Sequence, residues 1–253
     1  MIHHPHKKNL LLFDVDGTIC ESGKQISDEM AHLIQSFVHR DFDIGIVGGG
    51  TFDKIFYQLH SKITPSHIFS ECGSVYHTLL PSNSLEQIYQ HNIQSLSYYP
   101  QVVIIVKEAL NYLSKVDYGL AGHFIDRRHG LIYISLVGMS ATDEERSNFI
   151  NMDNHCHYRE ELLHILQNKS IELNIDDQIE ITLGGSVGIA LLPRAWNKTQ
   201  VVPYVEDIYT DIYYFGDKYG ENGNDYDLIH HPRIIGIKVD NVSDTKEKLE
   251  KIF

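Results

Sequence analysis

The chain has 253 residues, 42% of them hydrophobic, which is room for one large domain or two modest ones in an ordinary globular composition. A formal net charge of −13 argues against nucleic acid as a partner, because phosphate backbones attract basic surfaces. No run approaches the roughly 18 apolar residues of a membrane span, the start carries no apolar signal-peptide core, and three scattered cysteines (Cys20, Cys72 and Cys156) suit a reducing cytosol rather than a disulfide framework.

Leu10-Leu11-Leu12-Phe13 reads as a strand buried on both faces, and it ends abruptly in Asp14-Val15-Asp16-Gly17-Thr18. Two acids at a strand end are costly to fold around unless a cation or a reaction uses them. In an open α/β sheet that end is also where ligands bind. The Asp-x-Asp spacing directs both side chains the same way along an extended chain. One carboxylate can then attack phosphorus while the other manages protons, with Mg²⁺ between them. Met30, Leu33, Ile34, Phe37 and Val38 follow at helical spacing. Residues 44–47 form the next buried strand, and Gly48-Gly49-Gly50-Thr51 opens a helix with the stripe Phe52, Ile55, Phe56 and Leu59. This alternation predicts a parallel, doubly wound sheet.

The middle of the chain changes character. A helix is expected over 102–113, then two β-rich runs, 122–127 and 131–137, joined by Arg128-His129-Gly130 as a hairpin. Thr142 and Glu145 make a capping box that opens another helix. A further helix is expected over 159–166 and a strand over 179–183. Hairpin strands with helices gathered between them imply an α+β insertion over 86–192, with Pro81-Ser82-Asn83-Ser84 and Leu192-Pro193 as hinges and residues 1–85 and 193–253 forming the core. The βαβ pattern resumes with a helix over 198–207, a strand over 212–215, a short helix after Asn224 and a strand over 234–239. The His3-His4-Pro5-His6 stretch reads as a tail, and Gly184-Gly185 as a turn or close-approach site without a nucleotide-loop signature.

The strand over 212–215 also ends in Gly216-Asp217-Lys218, followed by Gly223-Asn224-Asp225. This brings a third carboxylate for a hard, oxygen-seeking cation. Together the two strand ends resemble the haloacid dehalogenase superfamily of phosphotransferases. The resemblance is closer to the eukaryotic-type phosphomannomutases. It rests on Phe13-Asp14-Val15-Asp16-Gly17-Thr18, Ile44-Gly45-Ile46-Val47-Gly48-Gly49, His91-Asn92-Ile93-Gln94-Ser95, Asp143-Glu144-Glu145-Arg146, Trp196-Asn197-Lys198 and Phe215-Gly216-Asp217-Lys218, in order and at similar spacing over nearly the whole chain.

The resemblance implies catalytic roles for Asp14 as nucleophile, Asp16 as general acid/base and Lys198 as the cation that neutralises Asp14 and the phosphoryl oxygens. Mg²⁺ would be held by Asp14, Asp217 and the main chain at Asp16, with Asn224 and Asp225 supporting the site from behind. Substrate contacts would come from Thr18, Gly49, Thr51 and two inserted-unit arginines, Arg128 and Arg146, whose planar forks suit a distal phosphate. The implied reaction interconverts hexose 6-phosphate and hexose 1-phosphate, mannose phosphate foremost, through an aspartyl-phosphate, with a hexose 1,6-bisphosphate as activator. A sugar-phosphate phosphatase of the same fold is the alternative. A non-catalytic sugar-phosphate binder is disfavoured because Asp14, Asp16, Lys198 and Asp217 are all present. A homodimer paired through the inserted unit is likewise implied. Several family substrate positions are substituted. Gly50 and Thr51 stand where a serine and an acid are expected, Gly23 and Met139 replace arginines, Gly188 and Ala190 replace a serine and an aspartate that contact sugar, and His231 replaces a carboxylate of an accessory cation site. These losses spare phosphoryl transfer and predict weaker discrimination among sugars.

Overall fold

The computed structural model describes residues 8–252 apart from 81, 83 and 222, so the histidine tail and part of the Pro81–Ser84 stretch lie outside the described residues. The chain divides into two compact units, Met1–Gln90 with Trp196–Phe253, and His91–Ala195. Its strands are, in chain order, β1 (Asn9–Phe13), β2 (Phe42–Val47), β3 (His67–Ser70), β4 (Val75–Leu79), β5 (Leu85–Gln90), β6 (Ile125–Arg127), β7 (Ile132–Ser135), β8 (Ile179–Gly184), β9 (Gly188–Pro193), β10 (Ile212–Gly216) and β11 (Ile235–Lys238). The helices are α1 (Asp28–Ser36), α2 (Phe52–Leu59), α3 (Tyr99–Leu113), α4 (Asp143–Cys156), α5 (Tyr158–Glu172), α6 (Val202–Val205), α7 (Tyr226–Ile229) and α8 (Val242–Ile252).

The first unit is a seven-stranded sheet in the order β11-β10-β1-β2-β3-β4-β5. The run from β11 to β3 is parallel, and β4 and β5 close it as an antiparallel hairpin. Strand β1 is buried on both faces because alternate residues meet different helices. Leu11 and Phe13 pack with Met30, Ile34, Ile55 and Leu249 of α1, α2 and α8. Leu10 and Leu12 pack with Val201, Val202, Val205 and Leu228 on the α6 and α7 side. This is the doubly wound arrangement expected from the alternation of strand and helix.

The second unit is a four-stranded antiparallel sheet, β6-β7-β9-β8. The Arg128-His129-Gly130 hairpin forms, with the Arg128 N–H donating to the Leu131 carbonyl at 2.9 Å. The capping box at the start of α4 also forms.

Three local expectations differ. Strand β5 pairs with β4 in the core sheet, Leu85 opposite Leu79, so residues 86–90 belong to the first unit and the second runs from His91 to Ala195 rather than over 86–192. Leu192-Pro193 ends strand β9, which pairs on both sides. The sequence hides this strand because Gly188 and Ala190 have weak strand propensity. The helix expected over 198–207 is a 3₁₀ turn, Lys198–Val201, followed by the four-residue α6. Pro203 opens α6 and cannot donate a backbone hydrogen bond into the preceding turn.

Candidate active site

The site lies at the carboxyl ends of β1, β2, β3 and β10, where the parallel strands stop and their loops gather. Asp14 follows β1 directly, and its N–H donates to the Phe215 carbonyl of β10 at 2.9 Å. Asp217 follows β10. Gly17, at φ +87°, lets the β1 loop pass against Asp217, since a β-carbon there would lie 2.6 Å from Asp217 Oδ2. No other residue adopts that backbone without strain.

Lys198 is the hub. It is 1% exposed, and its Nζ donates to Asp14 Oδ1 and Asp225 Oδ1, both at 2.5 Å, and to the Tyr214 hydroxyl at 3.2 Å. Tyr214 in turn donates to Asp225 Oδ1, and the Lys218 N–H donates to Asp225 Oδ2 at 2.8 Å. Asp225 is therefore fully occupied by protein donors. Burial disfavours the Lys198 charge, but Asp14 and Asp225 outweigh it and hold the ammonium well above the ordinary lysine range. Burial pushes the Asp14 carboxyl up to about 7, against the pull of Lys198 and with the push of Asp225. Asp217 is also raised, by burial above all, although Lys218 pairs with its Oδ2 at 2.5 Å.

Asp14, Asp217 and Asp225 each offer a carboxylate oxygen within 4.8 Å of the others. Asp217 Oδ1 and the nearby Thr18 Oγ1 are buried without a hydrogen-bond partner among the described residues. A buried orphan oxygen costs free energy that only a ligand would recover. An all-oxygen donor set with such an orphan fits a hard divalent cation.

Asp16 points elsewhere. Lys54 Nζ pairs with its Oδ2 at 2.5 Å, and Gln58 Nε2 and the Gly23 N–H donate to Oδ1 at 2.8 and 2.9 Å. Burial pushes Asp16 up, but Lys54 and these donors outweigh it and hold the carboxyl below its usual range. Sequence reasoning missed Lys54, Gln58 and Tyr214. The first two lie four residues apart on α2, so they share the face beside the Gly48–Thr51 turn. That i, i+4 pairing after a glycine turn was the available signal. Tyr214 sits inside an apolar strand, and nothing in its neighbourhood distinguishes it from core.

The Thr51 oxygen caps α2, accepting the Lys54 N–H at 3.4 Å. Gly49 lies beside Asn224, whose amide nitrogen would stand 3.7 Å from a β-carbon at 49. Gly50 backs onto Lys54, with room for a β-carbon only 3.1 Å from its side chain. Glu71, Cys72 and Gly73 after β3 all have positive φ, a strained turn at the rim of the same strand ends. Arg128 and Arg146 lie in the second unit. Arg128 Nε donates to Asp126 Oδ2 at 2.7 Å, and Arg146 Nε donates to the Ala141 carbonyl at 3.3 Å.

The sheet order and the strand-end carboxylates define a haloacid-dehalogenase-like core carrying an inserted α+β unit. Among solved structures, a truncated IMP-nucleotidase from Plasmodium falciparum aligns with a TM-score of 0.66 at 17% identity, over 97% of this chain and 70% of that one. A trehalose-6-phosphate phosphatase related protein aligns with a TM-score of 0.53 at 17% identity, over 96% of each chain. Phosphomannomutases from Arabidopsis thaliana and Encephalitozoon cuniculi are each 30% identical, over 96% of this chain and 96% of the former, and 97% of this chain and 93% of the latter. The description of the eukaryotic phosphomannomutase family matches residues 30–253. The chain belongs to the eukaryotic phosphomannomutase family.

Proposed function

We propose that the protein interconverts hexose 6-phosphate and hexose 1-phosphate, with mannose phosphate as the leading substrate, by way of a phosphorylated Asp14. The observation that carries this reading is the buried Asp14–Lys198–Asp225 triad beside the orphan oxygen of Asp217. A fold does not bury that much charge for stability alone. A carboxylate oxygen of Asp14 bonds to the phosphorus of one phosphate of a hexose bisphosphate as the bond from that phosphorus to the sugar oxygen breaks, leaving an aspartyl-phosphate and a hexose monophosphate. Asp16, once its pairing with Lys54 gives way, delivers the proton to that leaving oxygen and later takes the proton of the attacking sugar hydroxyl. Lys198 favours the ionised form of Asp14 against burial and offsets charge on the transferring group. Asp14 and Asp217, with the main chain at Asp16, would hold Mg²⁺, which supplies Lewis-acid neutralisation of phosphoryl oxygens. Asn224 and Asp225 act through Lys198 and the loop rather than on substrate. Thr18, Gly49 and Thr51 would line the transferring phosphoryl group, and Arg128 and Arg146 would take the distal phosphate.

Phosphatase action on a broadened set of sugar phosphates is the second reading. It is favoured by Gly188 and Ala190, which give strand β9 no hydrogen-bonding side chain at those points. One product assay separates the two. With mannose 1-phosphate and a hexose 1,6-bisphosphate activator, a mutase forms mannose 6-phosphate and loses most of that rate without activator. A phosphatase releases inorganic phosphate regardless, and that outcome would overturn the mutase reading. No disulfide joins Cys20, Cys72 or Cys156, in keeping with a cytosolic setting, and no described helix is long and apolar enough to cross a membrane. Pairing of two copies through the inserted unit rests on the resemblance, and light scattering of a single-chain mass would refute it.

A further inference from the structure

Asp14 gathers with Asp217 and Asp225 in one group of carboxylate oxygens, and Asp16 stands outside it. Both oxygens of Asp16 are held by another part of the first unit. Oδ2 pairs with Lys54 Nζ at 2.5 Å, while Oδ1 accepts the Gln58 amide at 2.8 Å and the Gly23 N–H at 2.9 Å. Gln58 is fully buried and forms the fixed side of this hold. The ion pair is its accessible side, with the Lys54 and Asp16 side chains 40% and 32% exposed.

Two positions that depart from the family pattern build the hold. Gly23 stands where an arginine is expected. It is the third residue of a turn closed by the Lys24 N–H on the Glu21 carbonyl at 2.9 Å, and its φ of +75° strains any residue with a side chain. That backbone aims the Gly23 N–H at Asp16. Gly50 stands where a serine is expected. A β-carbon there would lie 3.1 Å from Lys54 Cδ, so a side chain at 50 would press on the stem that carries the ammonium to Asp16.

The hold bears on how a phosphorylated Asp14 is discharged. Discharge by water forms a bond from the water oxygen to phosphorus, breaks the bond from phosphorus to the Asp14 carboxylate, and hands the water proton to Asp16. Transfer to a sugar follows the same course with a sugar hydroxyl in place of water. A partly exposed ion pair is weak. A bound sugar phosphate brings negative charge into the cleft that competes with Asp16 for the Lys54 ammonium. Water brings none.

We propose that Lys54 is a positioning residue that fastens Asp16 in the unliganded enzyme, in the room left by Gly50 and with the N–H turned by Gly23, and so keeps water from discharging the phosphorylated Asp14. This rests on the phosphoenzyme reading above and deepens it, because it assigns a residue that sets the balance between sugar and water as acceptor.

The test uses the full chain with Mg²⁺, charged with acetyl phosphate and, separately, with hexose 1,6-bisphosphate in the presence of mannose 1-phosphate. Acetate leaves without a donated proton, so acetyl phosphate loads Asp14 without calling on Asp16. Inorganic phosphate is followed in both reactions and mannose 6-phosphate in the second. Lys54→Met keeps the stem and removes the charge. It should speed phosphate release from acetyl phosphate by at least about tenfold and raise the phosphate released per mannose 6-phosphate formed to a similar extent. Lys54→Arg keeps a cation and should stay close to wild type. Gly50→Ser should shift both quantities in the direction of Lys54→Met. A lysine of merely structural value could lower these rates but would not raise release to water. Release unchanged or slower in Lys54→Met would overturn the inference and leave the phosphoenzyme reading intact. Absence of phosphorylated Asp14 with either donor would overturn both.

Discussion

The first unit holds two polar clusters at opposite ends of one sheet, and they are built on different terms. At the amino ends of the strands, Lys8 pairs with Asp43 Oδ1 at 3.0 Å, and Tyr209 donates to Asp43 Oδ2 at 2.9 Å. His67 sits between Tyr209 and Tyr76, with ring nitrogens 2.7 and 2.8 Å from the two hydroxyls. Each of these groups has its partner. Because Tyr209 donates to Asp43, His67 Nε2 must carry the proton and Nδ1 must accept from Tyr76. At the carboxyl ends, Lys198 satisfies Asp14 and Asp225, yet Asp217 Oδ1 and Thr18 Oγ1 stay without partners. A closed network specifies a fold, whereas an open one costs stability and is kept for chemistry.

The largest effect should come from the hub of the open cluster. Lys198→Met leaves Asp14 and Asp225 buried without their cation. It should cost about 3–5 kcal/mol of unfolding free energy, measured in urea, together with loss of turnover. A stable, active variant would contradict the assigned role. Asp14→Asn removes a charge instead of stranding one. Turnover should fall by at least about a thousandfold while stability at pH 7 holds or rises, as expected where a site is strained for function. A drop in melting temperature without loss of rate would make Asp14 a structural residue.

The closed cluster makes a pH prediction of intermediate size. Burial lowers His67 from 6.5 to about 4, so the folded protein holds it neutral while the unfolded chain protonates it. Its stabilisation is therefore complete above pH 6.5 and is lost as pH falls toward 4. Between pH 7 and pH 5 this amounts to about 2 kcal/mol. Asp14, raised to about 7, has the opposite sign in the same window, since its neutral form is favoured by folding below that value. The His67 contribution is thus read as a difference. Compared with His67→Gln, the wild type should lose about 2 kcal/mol more on acidification, and parallel pH curves would contradict a neutral buried imidazole. The smallest effect concerns α2. Thr51→Ala removes its cap and should cost about 1 kcal/mol or less. A much larger loss of rate than of stability would show that the hydroxyl also serves the substrate.

The contrast between the clusters also marks what the sequence made legible. The apolar runs ending at Asp14 and Asp217 announced their strands and their place at a ligand-binding edge, because a carboxylate at the end of a buried strand has few structural excuses. Partners contributed from a distance stayed hidden. Lys54 and Gln58 look like ordinary helix residues until α2 is packed beside β1, and His67, Tyr76 and Tyr209 meet only when β3, β4 and the loop before β10 assemble. Strand β9 was missed because glycine and alanine carry little strand signal, and Gly188 makes sense only once the Tyr133 ring and the Ile134 carbonyl are seen against it. Asp16 illustrates the same limit. Its residue type and spacing suggested its chemistry, but its hold by Lys54, Gln58 and Gly23 is a property of the folded chain.

The central claim is that Asp14 carries the phosphoryl group between sugars. It is tested most directly by acid-quenching the enzyme during turnover of hexose 1,6-bisphosphate with Mg²⁺ and mapping the phosphorylated peptide by mass spectrometry. The account predicts a hydroxylamine-sensitive acyl phosphate on Asp14, absent in Asp14→Asn. Turnover with the phosphoryl group on another residue, or with no phosphoenzyme at all, would contradict it.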